Sequence, residues 1–268
     1  MKSKQSQNHY YPNIFEALVI IAIFIFLSII FGTMMTGGIG AGNKSMQDII
    51  ALLGYILTAG GTLLLIIQFK RVKTPAEKTF RNSHYSFRTG TIIVILSVLL
   101  IIAIDPLTEL IPVSDYFRDI LDRMYSETIP AFLTAVIVAP VMEELIFRGI
   151  MLEGLLKNYN PLKAIILTNL LFGVAHLNPW QFAGAFLMGL FISWVYWRTR
   201  SIQLAIVIHF INNLVSYTAI LITSKSPADI SIKTFLENEA VYYSLALVSL
   251  VIVIITVVFE NRIMHWKK

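Results

Sequence analysis

Stretches of about 20 consecutive apolar residues recur along this 268-residue chain, and nothing else in it limits the possible folds so severely. Wound as a helix rising about 1.5 Å per residue, such a stretch reaches across a hydrocarbon core of roughly 30 Å. Eight runs of this kind lie at 14–34, 48–68, 90–112, 129–150, 162–177, 181–197, 201–222 and 241–260. They are continuously apolar, whereas a membrane strand alternates over about ten residues, so helices are expected and not a barrel. Charged residues make up 14% of the chain, against about 25% in ordinary soluble domains. The expected fold is all-α, a polytopic transmembrane helix bundle of about eight spans forming one membrane-embedded domain over residues 1–268. The fifth and sixth runs are short and share the Asn178-Pro179 turn, so a re-entrant pair is the alternative to two full crossings.

The net charge of +5 follows the spans and gives no sign of a nucleic-acid partner. Sixteen of the 21 Lys and Arg residues fall on one side of the eight runs, six of them between Lys70 and Arg88. By the positive-inside rule that side is cytoplasmic and holds both the N and C termini, as an even number of crossings requires. The Lys70–Arg88 loop reads as a topology signal and a contact for anionic membrane lipids. The first run follows Lys2 and Lys4 and is longer than a signal-peptide core, which favours an uncleaved anchor despite the small residues from Gly37 to Gly42. There is no cysteine, so disulfides and thiolate chemistry are excluded. Between the third and fourth runs, VSDYFRDILDRMYSE places Tyr116, Phe117, Ile120, Leu121 and Met124 at helical spacing, as an outer interfacial helix would.

Ionisable residues within a membrane span are expensive and mark function by default. Here they cluster. The fourth run carries Glu143, Glu144 and Arg148, the fifth ends in Phe172 and His176, and the seventh holds His209, Asn212 and Asn213. Two of the chain's five histidines lie within spans, and both belong to this set. Residues i and i+4 share a helix face while neighbours diverge by about 100°, so Glu144 can pair with Arg148 and leave Glu143 pointing elsewhere. Pro140 cannot donate its backbone hydrogen bond and is expected to kink the helix just before the acids. His209 and Asn213 can present an imidazole and an amide towards one point. The structural alternative makes these residues interhelical glue, which has no need of an extra carboxylate, two histidines and an amide on three spans. Asp105 and Glu109, near the outer end of the third run, suit snorkelling or capping. Counting rise from the cytoplasmic ends puts Glu143 and His209 about 10 Å deep and His176 about 20 Å deep, so His176 joins the site only if a helix tilts or starts in the interface.

The order EExxxR, FxxxH, HxxxN on successive hydrophobic spans resembles the CPBP family of intramembrane proteases, also called the Abi family, which includes the type II CaaX prenyl endopeptidases. The matching residues are Glu143, Glu144 and Arg148, then Phe172 and His176, then His209 and Asn213. The resemblance covers residues 143–213 and implies a catalytic core over 129–222 that hydrolyses a peptide bond within or at the edge of the bilayer. Glu143, Glu144, Arg148, His176, His209 and Asn213 are then the candidate catalytic residues. In one version Glu143 with His176 deprotonates a water while His209 and Asn213 stabilise the oxyanion. In another, Glu143, His176 and His209 hold zinc with an open position for water, the metalloprotease form. The implied substrate is a membrane-associated peptide or a lipidated, CaaX-like protein, and the implied location is the plasma membrane, as a multi-pass protein.

Other intramembrane proteases are disfavoured because the chain has no HExxH, GxSG or GxGD; Ser193 and Ser201 read as ordinary membrane-helix residues. Two non-proteolytic readings compete. One is a membrane scaffold or bacteriocin-immunity-type protein that binds a partner in the same groove. The other is a proton or ion path, against which stand the lack of an inverted repeat and of paired broken helices.

Overall fold

The computed structural model describes residues 10–37, 43–75, 80, 85–236 and 238–260, with the side chains of the first helix described through residue 30. Among these residues there are helices and turns but no strand. The helices are α1 (Ile14–Gly37), α2 (Lys44–Lys73), α3 (Phe87–Glu109), α4 (Asp115–Met124), α5 (Ile129–Asn158), α6 (Pro161–Ala175), α7 (Pro179–Thr199), α8 (Ile202–Thr223) and α9 (Glu239–Val258). Each apolar run becomes a helix, and α4 is the amphipathic segment expected between the third and fourth runs. Lys78 and Arg81 of the basic loop, residues 38–42 and the basic residues of both termini lie outside the described residues.

The helix ends follow from local chemistry. Asn43, Ser86, Thr128, Asn160, Asn178, Ser201 and Asn238 each accept a hydrogen bond from a backbone N–H of the first turn that follows them. Pro130, Pro161 and Pro179 then stand in first turns, where the missing N–H costs nothing. By length and composition α2, α3, α5, α8 and α9 can cross a membrane, whereas α1 over Ile14–Ile30 and α6 are shorter apolar helices. The 15 residues of α6 rise about 22 Å, short of a full hydrocarbon core, and His176 caps its far end.

Helix α5 is the central one. Every side chain from Ile146 to Leu155 is buried, and α5 packs against α2, α6, α7 and α8. One core cluster joins α1, α2, α5 and α6; a second joins α3, α7, α8 and α9. The fourth run was expected to end at residue 150, but the helix continues to Asn158. It can do so because Glu153 is not bare there: Arg200 Nη1 stands 2.8 Å and the Tyr196 hydroxyl 3.3 Å from its Oε2.

Within α5 the ladder changes character around the acids. Leu133–Val138 and Leu145–Leu152 are π-helical, flanking a six-residue α segment, Ala139–Glu144. The helix passes Pro140 by widening its turns, with the Ala139 N–H reaching back to Thr134 O. At the end of the bundle that carries α4, Asp105 accepts hydrogen bonds from the Ile232 backbone and the Tyr242 hydroxyl, and Arg118 pairs with Asp229. Asp105 thus fastens the 227–235 turns to α3 and α9, a structural use of that acid.

Candidate functional site

Arg148 is fully buried and organises the inner wall of the polar cluster. Its Nη1 donates to Glu144 Oε1 at 2.9 Å, its Nη2 to Asn169 Oδ1 at 3.0 Å and to Gly189 O at 3.1 Å, and its Nε to Ser193 Oγ at 3.3 Å. The planar guanidinium fork serves three helices at once and also stands 4.7 Å from the centroid of the Phe172 ring. Gly189 permits this approach: a Cβ there would overlap Asn169 Oδ1 and come within 3.0 Å of Arg148 Nη2. A buried ion pair tolerates the interior only when its remaining donors are satisfied, which Asn169, Gly189 and Ser193 accomplish.

Glu144 carries that charge onward to α8. The same Oε1 that receives Arg148 lies 2.8 Å from His209 Nδ1, so His209 donates through Nδ1 and its other nitrogen, Nε2, is left for chemistry. Nε2 faces Glu143 Oε2 across 3.9 Å. Glu143 Oε1 accepts a 2.8 Å hydrogen bond from the Tyr55 hydroxyl of α2. Burial and then the Glu143 carboxylate push the phenol of Tyr125, in the turn before α5, up to about 12. Glu144 thus backs the site from within while Glu143 fronts it, the division their 100° separation suggests.

Phe172 joins the two histidines. Its ring meets Phe147, His176 and His209 edge-on, at centroid distances of 4.8, 4.9 and 5.9 Å. His176 Nδ1 is 2.9 Å from Phe172 O; a carbonyl only accepts, so Nδ1 carries the proton and Nε2 is free. The next residue, Leu177, sits at φ 55, in the left-handed region where a side chain is strained.

The end of α5 at Asn158 changes the count on which the depth mismatch of His176 rests: Glu143 lies 15 residues before that end and His176 lies 15 residues beyond Pro161, matching chain distances from the α5–α6 turn. The Glu153–Arg200 bridge sets α8 beside α5. Glu144 is nine residues from Glu153 and His209 nine from Arg200, which brings the two to one level on antiparallel helices.

The Asn213 amide is engaged by its neighbours: its Nδ2 donates to Ala135 O at 2.8 Å in the π segment and its Oδ1 accepts from Asn212 at 3.0 Å. The reason is local: the widened turns of Leu133–Val138 present a carbonyl to the facing helix. Sequence reasoning missed Tyr55, an unremarkable tyrosine in an apolar run. It also missed Asn169 and Ser193, of which only Asn169, a buried amide amid apolar α6, offered a signal. Ser193 Oγ accepts from Arg148 Nε and from Asn169 Nδ2.

Among the described residues, no three His, Asp or Glu side chains form a group able to hold a metal ion. As placed, Glu143, His176 and His209 do not form such a group, although each histidine, with Nδ1 turned to Phe172 O or to Glu144, keeps the Nε2 through which a metal-bound imidazole commonly ligates.

No curated protein and no solved structure matches the chain. A family model does: residues 125–215 match the family described as Rce1-like, type II CAAX prenyl endopeptidase Rce1-like. The matched segment begins at Tyr125, just before α5, and takes in Glu143, Glu144, Arg148, His176, His209 and Asn213. The chain is an integral membrane protein that, over the segment bearing every residue of this polar cluster except Tyr55, is similar to the Rce1-like type II CAAX prenyl endopeptidases.

Proposed function

We propose that the chain is an intramembrane endopeptidase that hydrolyses a peptide bond of a membrane-associated or lipidated, CaaX-like substrate by an activated water. The observation that carries this reading is the 3.9 Å separation of Glu143 Oε2 and His209 Nε2, inside the matched segment. It is too long for a direct hydrogen bond and suits a water held by both groups. Glu143 takes a proton from that water as its oxygen attacks the scissile carbonyl carbon, and the same proton passes to the departing amine as the tetrahedral intermediate collapses. Glu144 and Arg148 hold His209 in the tautomer and orientation this requires. His176, with Nε2 free beside Phe172, is the second imidazole available to the water or to the oxyanion. Asn213 contributes to an oxyanion hole only after giving up Ala135 O.

No step in this scheme passes through a metal. The zinc version needs Glu143, His176 and His209 to close around the ion, and metal analysis of the purified protein tests it directly.

The experiment is cleavage of quenched-fluorescent peptides, prenylated and unprenylated, by the protein in lipid, with Glu143→Gln and His209→Ala alongside and metal content measured on each sample. We expect cleavage that is lost in both variants, falling by at least about a hundredfold on removal of the base. Cleavage that survives in Glu143→Gln refutes the assignment of the base. Peptide binding without cleavage by the unmodified chain turns the reading to a binding protein using the same groove.

A further inference from the structure

We infer that Tyr55, on α2 and outside the segment 125–215, is a positioning residue for Glu143, so that the reaction centre draws on α2 as well as α5, α6 and α8. This rests on the hydrolytic reading above and extends it to a residue that no motif marks.

The geometry is specific. The Tyr55 ring packs against the buried cluster of α1, α2, α5 and α6 while its hydroxyl donates to Glu143 Oε1 at 2.8 Å. Among the described residues, that is the hydrogen bond Glu143 receives; its other oxygen is the one facing His209 Nε2. A glutamate's last torsion is broad and roughly two-fold, so an unrestrained carboxylate samples many orientations. A phenol on two torsions, held by core packing, is a stiff partner that removes this freedom at low entropic cost. With Oε1 occupied by Tyr55, Oε2 is the oxygen turned towards the water site, in line with a near-attack geometry.

Glu144 does not need such help, since Arg148 and His209 already hold it. Glu143 is the member of the pair that fronts the open side of the cluster, with side-chain exposure of 15% against 0% for Glu144. α2 packs along α5 on both sides of the acids, so the contact is part of a continuous interface.

The test uses Tyr55→Phe and Tyr55→Leu with the full chain in lipid, on a peptide the wild type cleaves. We expect Tyr55→Phe to lower kcat by about tenfold to a hundredfold with KM within about twofold and an unchanged thermal unfolding midpoint. Added to Glu143→Gln, the same change should have no further effect. Wild-type kcat in Tyr55→Phe, or a loss seen only in Tyr55→Leu, means that the ring's packing and not its hydroxyl matters, and overturns the inference. A second readout does not require turnover. The infrared C–O stretch of the Tyr55 phenol, assigned by its disappearance in Tyr55→Phe, should shift in Glu143→Ala. An unmoved band overturns the positioning role. A band that shifts in a protein that cleaves nothing keeps the Tyr55–Glu143 contact and refutes the protease reading instead.

Discussion

Arg148 and Glu144 are both fully buried and four residues apart on α5, yet the pair is better understood through what else touches it. Asn169, Ser193 and Gly189 O fill the remaining donors of the guanidinium, and His209 shares the carboxylate. Removing one charge therefore strands the other away from water. Arg148→Ala is expected to cost about 3–5 kcal/mol of stability, measured as a lowered unfolding midpoint in lipid, and to abolish cleavage with it. Arg148→Lys keeps the charge but loses the fork, so folding should largely survive while turnover falls, because the tie between α5, α6 and α7 loosens. The Glu144–Arg148 pairing was legible from i, i+4 spacing alone. Its partners were not, because hydrogen bonds from one helix to another depend on how the helices pack.

At the scale of helices, α5 shows what composition hides. Its π segments on either side of Ala139–Glu144 are not written in any simple periodicity, although Pro140 announces that the ladder must adjust there. They have a consequence in Asn213, whose amide donates to Ala135 O in the first of them. The packing of α7 on α5 and α6 depends on Gly189, where no Cβ fits between Asn169 and Arg148. Gly189→Ala should therefore wedge α7 away and destabilise the protein by about 1–3 kcal/mol, more than an alanine at an open helical glycine such as Gly60, whose added Cβ meets nothing within 4 Å. A comparison of the two variants' unfolding midpoints checks this, and equal midpoints would count against the wedge.

The whole molecule is a set of apolar helices around α5, fastened at one end by Glu153 and Arg200 and at the other by Asp105, Tyr242 and the 227–235 turns. Arg200→Ala should let α8 slip against α5 and lower kcat for cleavage although it lies nine residues from His209, an effect that a merely superficial bridge would not have. The absence of cysteine makes topology directly measurable. Single cysteines placed in α4 or at residue 225 should react with an impermeant maleimide from the outside of intact cells, and those at 159 or 200 only after permeabilisation; the reverse pattern would invert the chain. By itself the sequence determined the helical membrane fold, the approximate bounds of the helices and the candidate residues Glu143, Glu144, Arg148, His176, His209 and Asn213, because burial in lipid forces every backbone bond inside its own helix and makes each intramembrane charge conspicuous. Only the tertiary structure decided that Phe172 lies between His176 and His209, that Asn213 donates to Ala135 O and that Tyr55 reaches Glu143. Those facts depend on where separate helices meet in depth and rotation, and the contacts that set it, such as Glu153 to Arg200, join residues far apart in the chain.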